Sequence, residues 1–148
     1  MNLAEALLGV TRLFLDTAPV IYYVERNPQY FPRVSPVFDR IDNGALTGVI
    51  SPITLAECLV APYRLGQAGL QQDFFDLIVH GAHTVFFSLD QENARRAAEL
   101  RARHNLTLSD ALQVAVALMA GCQAFLTNDN DLKRVPDLRI VVLDELTN

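Results

Sequence analysis

The chain is poor in several residue types that would announce a class. It has no tryptophan, only 2 cysteines and 3 histidines, and one lysine, Lys133, among its 12 Lys and Arg residues. Cys58 and Cys122 cannot build a disulfide framework, and neither belongs to a CxxC pair; they fit free thiols in a reducing compartment. His80, His83 and His104 have no metal-ligand spacing, so a zinc site of the His/Cys kind has no support. With 7 Gly and 7 Pro in 148 residues, collagen-like and low-complexity chains are excluded. The longest apolar uncharged run, Ala111–Leu126, falls short of the roughly 20 residues of a membrane span, and Gln113, Gly121 and Gln123 interrupt it. Residues 1–5 carry Glu5 and no base precedes Arg12, so the basic start of a signal peptide is missing. These absences point to a cytoplasmic chain that does not meet a membrane. Positive charge is also in deficit: the net charge is −5 and the pI about 5.0. A passive nucleic-acid binder would show a basic footprint. An enzyme that reaches phosphates through bound divalent cations need not, because the ions reverse the local field.

What is present is a globular composition, 51% hydrophobic and 20% charged, at about the length of one domain. We read residues 1–148 as a single domain in which 1–11 form an extension ahead of the first strand. Short apolar runs at 13–15, 46–50, 84–87, 124–127 and 139–143 read as strands. Helical patterns fill the intervals at 17–24, 34–41, 53–65, 70–79, 90–104 and 108–120, with a short leading helix at 5–10 and a helical turn at 131–134. Ser51-Pro52 is an N-cap followed by proline in the first turn. Strands that are continuously apolar and alternate with helices predict an α/β fold: three layers, with a central, mainly parallel sheet of about five short strands. Ligands in such folds bind beyond the carboxyl ends of the strands, where the strand order switches.

The acids carry the functional signal through their isolation. Asp16 is the only charged side chain between Leu13 and Val24, Glu57 the only one between Gly44 and Tyr63, and Asp110 the only one between His104 and Asn128. Asp129 follows directly on the strand 124–127. A lone buried carboxylate costs several kcal/mol, and basic partners near in sequence are scarce. The predicted strand ends and helix starts share one rim, so all four can converge there, where a divalent cation would partner several at once. Such hard oxygen ligands select Mg2+ or Mn2+. Local duties compete with this reading. Asp16 can cap the helix at Thr17, Thr107 and Asp110 match a capping box, and Asp129 suits a turn in Thr127–Asn130. Glu57 has no such duty, since it lies past the capping positions among Ile53, Ala56, Cys58, Leu59 and Val60.

The series Leu15-Asp16-Thr17 with Ile21-Tyr22, then Ser51–Glu57, then Leu108–Leu112, then Leu126–Asp129, resembles the PIN-domain nucleases. Among them it is most similar to the VapC-type toxins of prokaryotic toxin–antitoxin modules. The order and spacing of the motifs, from about Leu13 to Leu143, carry the likeness. It implies an endoribonuclease that hydrolyses RNA phosphodiester bonds with Mg2+ or Mn2+, with ligand positions at Asp16, Glu57, Asp110 and Asp129. It also implies a homodimer held inactive by a cognate antitoxin. Thr127, Asn128 and Asp131 are expected to hold the ligating acids in place. Lys133 and Arg134, then Arg26 and Arg64, are expected to contact the RNA backbone, whereas the arginines of 90–104 read as a solvated face with i,i+4 pairs. The near absence of lysine and the residues ahead of the first strand depart from some relatives without touching the acids. The rival reading is a non-catalytic PIN module acting by protein or RNA binding.

Overall fold

The computed structural model describes residues 1–147. Strands β1 (Arg12–Leu15), β2 (Thr47–Ile50), β3 (Thr84–Phe86), β4 (Ala124–Thr127) and β5 (Arg139–Val142) form one sheet in the order β3-β2-β1-β4-β5. Every pairing is parallel. The helices are α1 (Leu3–Ala6), α2 (Thr17–Val24), α3 (Phe31–Asp42), α4 (Pro52–Arg64), α5 (Ala68–His80), α6 (Gln91–His104) and α7 (Leu108–Met119), with a 3-10 turn at Asn130–Arg134. The α/β reading from sequence holds, and most boundaries fall within a residue or two. The leading helix is shorter and earlier than expected, and α3 begins three residues sooner, with Pro32 in its first turn.

Side-chain alternation along each strand splits the core into two layers. Leu13 and Leu15 of β1, Ile50 of β2 and Leu126 of β4 face Val20, Val34, Phe38 and Phe74 on one side. Phe14, Val49 and Phe125 face Ala97, Leu100, Val114 and Ala117 of α6 and α7 on the other. The rings of Phe14 and Phe125 stack at 4.7 Å across β1 and β4. Each is fully buried, and burying a phenylalanine side chain stabilises by roughly 1.5–3 kcal/mol. That pair lies just under the carboxyl ends of the two central strands. Helix α7 is apolar almost all round because it packs on the sheet and under α6. Gly121, at φ +75°, supplies the left-handed residue that ends it. Cys58 and Cys122 are both buried free thiols. No helix among the described residues is long and apolar enough to cross a membrane.

Candidate active site

The sheet order puts its switch point between β1 and β4, since the chain moves outward through β2 and β3 on one side and through β5 on the other. Asp16 follows the last residue of β1, and its N–H continues the ladder to the Leu126 carbonyl at 3.0 Å. Thr127 ends β4. The strand ends therefore bring Asp16 and Thr127 together, as the parallel register Leu15 to Leu126 requires. Thr127 Oγ1 donates to Asp16 Oδ2 at 2.8 Å and accepts from Asp129 N at 3.0 Å. Asp16 Oδ1 accepts from Thr17 N at 2.9 Å and, at 3.5 Å, from Gln113 Nε2.

The other acids arrive from separate elements. Asp110 sits in the first turn of α7, and Thr107 caps that helix by accepting from Asp110 N at 3.2 Å. The reciprocal backbone half of the capping box is not formed, and the Asp110 carboxylate feels the charges of Asp16 and Asp129 while the Thr107 hydroxyl partly offsets them. Glu57 projects from α4, and Thr17 Oγ1 donates to its Oε1 at 2.7 Å. Asp129 uses Oδ1 to accept from Asp131 N at 2.9 Å, capping the turn that follows. The capping duties weighed from sequence are thus real for Asp16 and Asp129, and each occupies only part of the carboxylate.

Electrostatics tie the acids together. Burial raises the Asp16 carboxyl above its ordinary value, against the pull of its donors, and Glu57 adds to the rise. The Asp110 carboxyl is pushed up to about 6, first by burial, then by the charges of Asp16 and Asp129, with a smaller contribution from Glu57. Among the described residues, the charged groups that act on these two acids are other carboxylates. The ion pairs among the described residues are Lys133–Glu145 and Arg134–Asp131, and neither uses a rim acid. The donor chemistry therefore fits a hard divalent cation: carboxylate oxygens, mutually repelling, with no ion pair to a basic side chain among the described residues. Among the described residues, however, no three His, Cys, Asp or Glu side chains are set closely enough to hold a metal ion as they stand.

Two expectations need correction. Glu57 is exposed rather than buried among its apolar neighbours. Helix α4 packs through Thr54, Cys58 and Pro62, one turn apart, and this turns Ala56, Glu57 and Val60 to solvent. The burial argument therefore applies to Asp16 and Asp110 and not to Glu57 or Asp129. Secondly, the charges of α6 make no i,i+4 ion pairs among the described residues; the face is solvated but unpaired.

The remaining predicted residues lie as follows. Asn128 donates to the Tyr22 hydroxyl at 3.3 Å and accepts from Asp144 N at 3.0 Å, which holds the loop after β4 against the chain beyond β5. Asp131 accepts from Arg134 at 3.3 Å, and Arg134 also donates to the Asn105 carbonyl at 2.9 Å. Lys133 is engaged by Glu145. Arg26 lies over the Phe31 ring at 5.3 Å, and Arg64 is exposed at the end of α4. Residues given no place in the site from sequence are Ser51, Thr54 and Gln113, whose buried hydrogen bonds meet beneath Asp16, and Thr17, which donates to Glu57. The available signal was Gln113 itself, a lone amide in the otherwise apolar stretch 111–119 of α7.

A parallel sheet with Asp16 and Thr127 at the strand ends of its switch point defines a class of α/β domain that binds ligands beyond its strand ends. The PIN domain family model matches residues 13–138, and the chain belongs to that family. No curated protein matches it by sequence. Among solved structures, it is similar to VapBC2 of Rickettsia felis bound to a promoter DNA fragment, with TM-score 0.69, 19% identity, and coverage of 89% of this chain and 98% of that one. A toxin–antitoxin complex from Klebsiella pneumoniae matches with TM-score 0.67 and 20% identity over 88% of this chain and 97% of that one. Mycobacterium tuberculosis VapC20, described as a sarcin–ricin loop cleaving toxin, matches with TM-score 0.69 and 15% identity over 86% and 98%. At these identities the likeness is one of fold.

Proposed function

We propose that this chain is a metal-dependent endoribonuclease and the toxin of a toxin–antitoxin pair, acting in the cytoplasm as a homodimer and restrained by a cognate antitoxin. The observation that supports the reading is the mutual repulsion of acids around the switch point, where Asp16, Asp129 and Glu57 act on Asp110 and Glu57 acts on Asp16, with no ion pair to any of them among the described residues. The resemblance to VapC-type chains supplies the RNA substrate and the antitoxin. Asp16, Asp110 and Asp129 would hold Mg2+ or Mn2+, with Glu57 joining directly or through water. A bound divalent ion would neutralise charge developing on the phosphoryl oxygens and lower the pKa of a coordinated water.

The protein's own part is orientation. Thr127 fixes one oxygen of Asp16 and the backbone of Asp129 at once, while Thr17 aims Glu57 toward Asp16. Lys133 and Arg134, then Arg26 and Arg64, are the candidates for the RNA backbone. The pairs that engage Lys133 and Arg134 are exposed, and such pairs are worth about 1 kcal/mol or less, so phosphate can displace them. Purified wild type should cleave RNA with Mg2+ or Mn2+ and lose cleavage in EDTA, and Asp16→Ala should be inactive. The alternative, a non-catalytic binding module, is favoured by the absence of a closed three-acid cluster among the described residues. It requires that no RNA be cut with metal present, or that Asp16→Ala cut as well as wild type.

A further inference from the structure

Gln113 is 1% exposed in a helix whose neighbours Ala111, Val114, Ala115, Val116 and Ala117 are all buried and apolar. A buried primary amide is costly unless its N–H and carbonyl groups are satisfied, and here each finds a partner from a different element. Ser51 Oγ donates to Gln113 Oε1. Gln113 Nε2 donates to Thr54 Oγ1 at 2.7 Å and points its other hydrogen at Asp16 Oδ1, 3.5 Å away.

The neighbours leave the amide one orientation. Ser51 Oγ already accepts from Ile53 N at 3.1 Å and Thr54 N at 3.4 Å as the cap of α4, so its hydrogen is free to donate. Thr54 spends its own hydrogen on the Leu15 carbonyl at 3.4 Å and must accept. A flipped amide would turn a carbonyl toward the Asp16 carboxylate. The network joins the start of α4, which carries Glu57 one turn on, the end of β1, which carries Asp16, and α7, which carries Asp110 one turn before Gln113.

We infer that Gln113 is a positioning residue of the acid rim: it holds the Asp16 carboxylate and sets the spacing among the elements that carry Asp16, Glu57 and Asp110. This rests on the proposed metal-dependent activity. A core amide that merely satisfies itself would affect stability alone, whereas a positioning residue also governs how well the acids receive a cation.

The test is titration of the purified full chain with Mn2+ alone, alongside melting temperature and RNA cleavage kinetics. Gln113→Met, close in volume and lacking both groups, should weaken Mn2+ binding roughly tenfold or more and lower kcat similarly, with KM for RNA changed by less than about twofold. Val114→Ala, on the same helix in the apolar core, should lower the melting temperature and leave Mn2+ affinity unchanged. Thr54→Val deprives the amide of one anchor, and its Mn2+ affinity should fall several-fold; it decides the matter if Gln113→Met does not fold. Wild-type Mn2+ affinity in folded Gln113→Met or in Thr54→Val overturns the inference and leaves the ribonuclease reading standing. A wild-type chain that binds no Mn2+ overturns both.

Discussion

The rim at the ends of β1 and β4 and the outer face of α6 treat charge in opposite ways. At the rim, two carboxylates are partly withdrawn from water, repel one another and keep raised proton affinities. Along α6, four arginines and two glutamates share a solvated surface without a single ion pair among the described residues. Yet α6 has by far the denser charge. The lesson is that a charge becomes informative when the fold desolvates it, because desolvation makes its position costly. Charge left in water costs little and can be rearranged freely.

The sharpest break between the two regions is expected from Asp16→Ala. It should reduce metal-dependent RNA cleavage on the order of a thousandfold, equivalent to several kcal/mol of lost charge stabilisation, while circular dichroism shows a folded chain. Retained cleavage would mean that the rim is not the reactive site. Thr127→Val removes the hydroxyl that serves both Asp16 and Asp129, and initial rates should fall roughly 10–100-fold.

Asp110→Asn tests the strain itself. Because the folded Asp110 carboxyl titrates near 6 and its ordinary value is 3.8, the folded state binds the extra proton between those values. Ionising this group therefore costs stability as pH rises, in full above about 6 and not at all below about 3.8. In EDTA, Asp110→Asn should melt a few degrees above wild type at pH 7, with the gain shrinking as pH falls from 6 to 4. A variant that melts lower than wild type at pH 7 would count against the repulsion. Added Mn2+ should raise the melting temperature of wild type more than that of the variant. The smallest effect belongs to α6: Arg96→Ala should change stability by less than about 0.5 kcal/mol and leave kcat unaltered. A large loss there would show that α6 takes part in the reaction.

Much of this contrast was legible along the chain. Asp16 and Asp110 stand out as single charges in apolar stretches, and both prove to be desolvated. The same criterion misplaced Glu57, because apolar neighbours in sequence do not bury a helical residue; the face it occupies does, and α4 presents Thr54, Cys58 and Pro62 to the core instead. Gln113 passed as an interruption of a hydrophobic run. Its partners Ser51, Thr54 and Asp16 lie 62, 59 and 97 residues away, and no local pattern links them.

Sequence alone therefore determined the alternation of strands and helices, the parallel sheet and the placing of acids at strand ends and helix starts. These depend on periodicity and capping, which act over a few residues. Only the tertiary structure decided which acids lose their water, how the amide of Gln113 ties three elements together, and how closely the carboxylates approach. Those depend on how each helix is rotated and seated on the sheet, which is settled by packing among residues far apart in the chain.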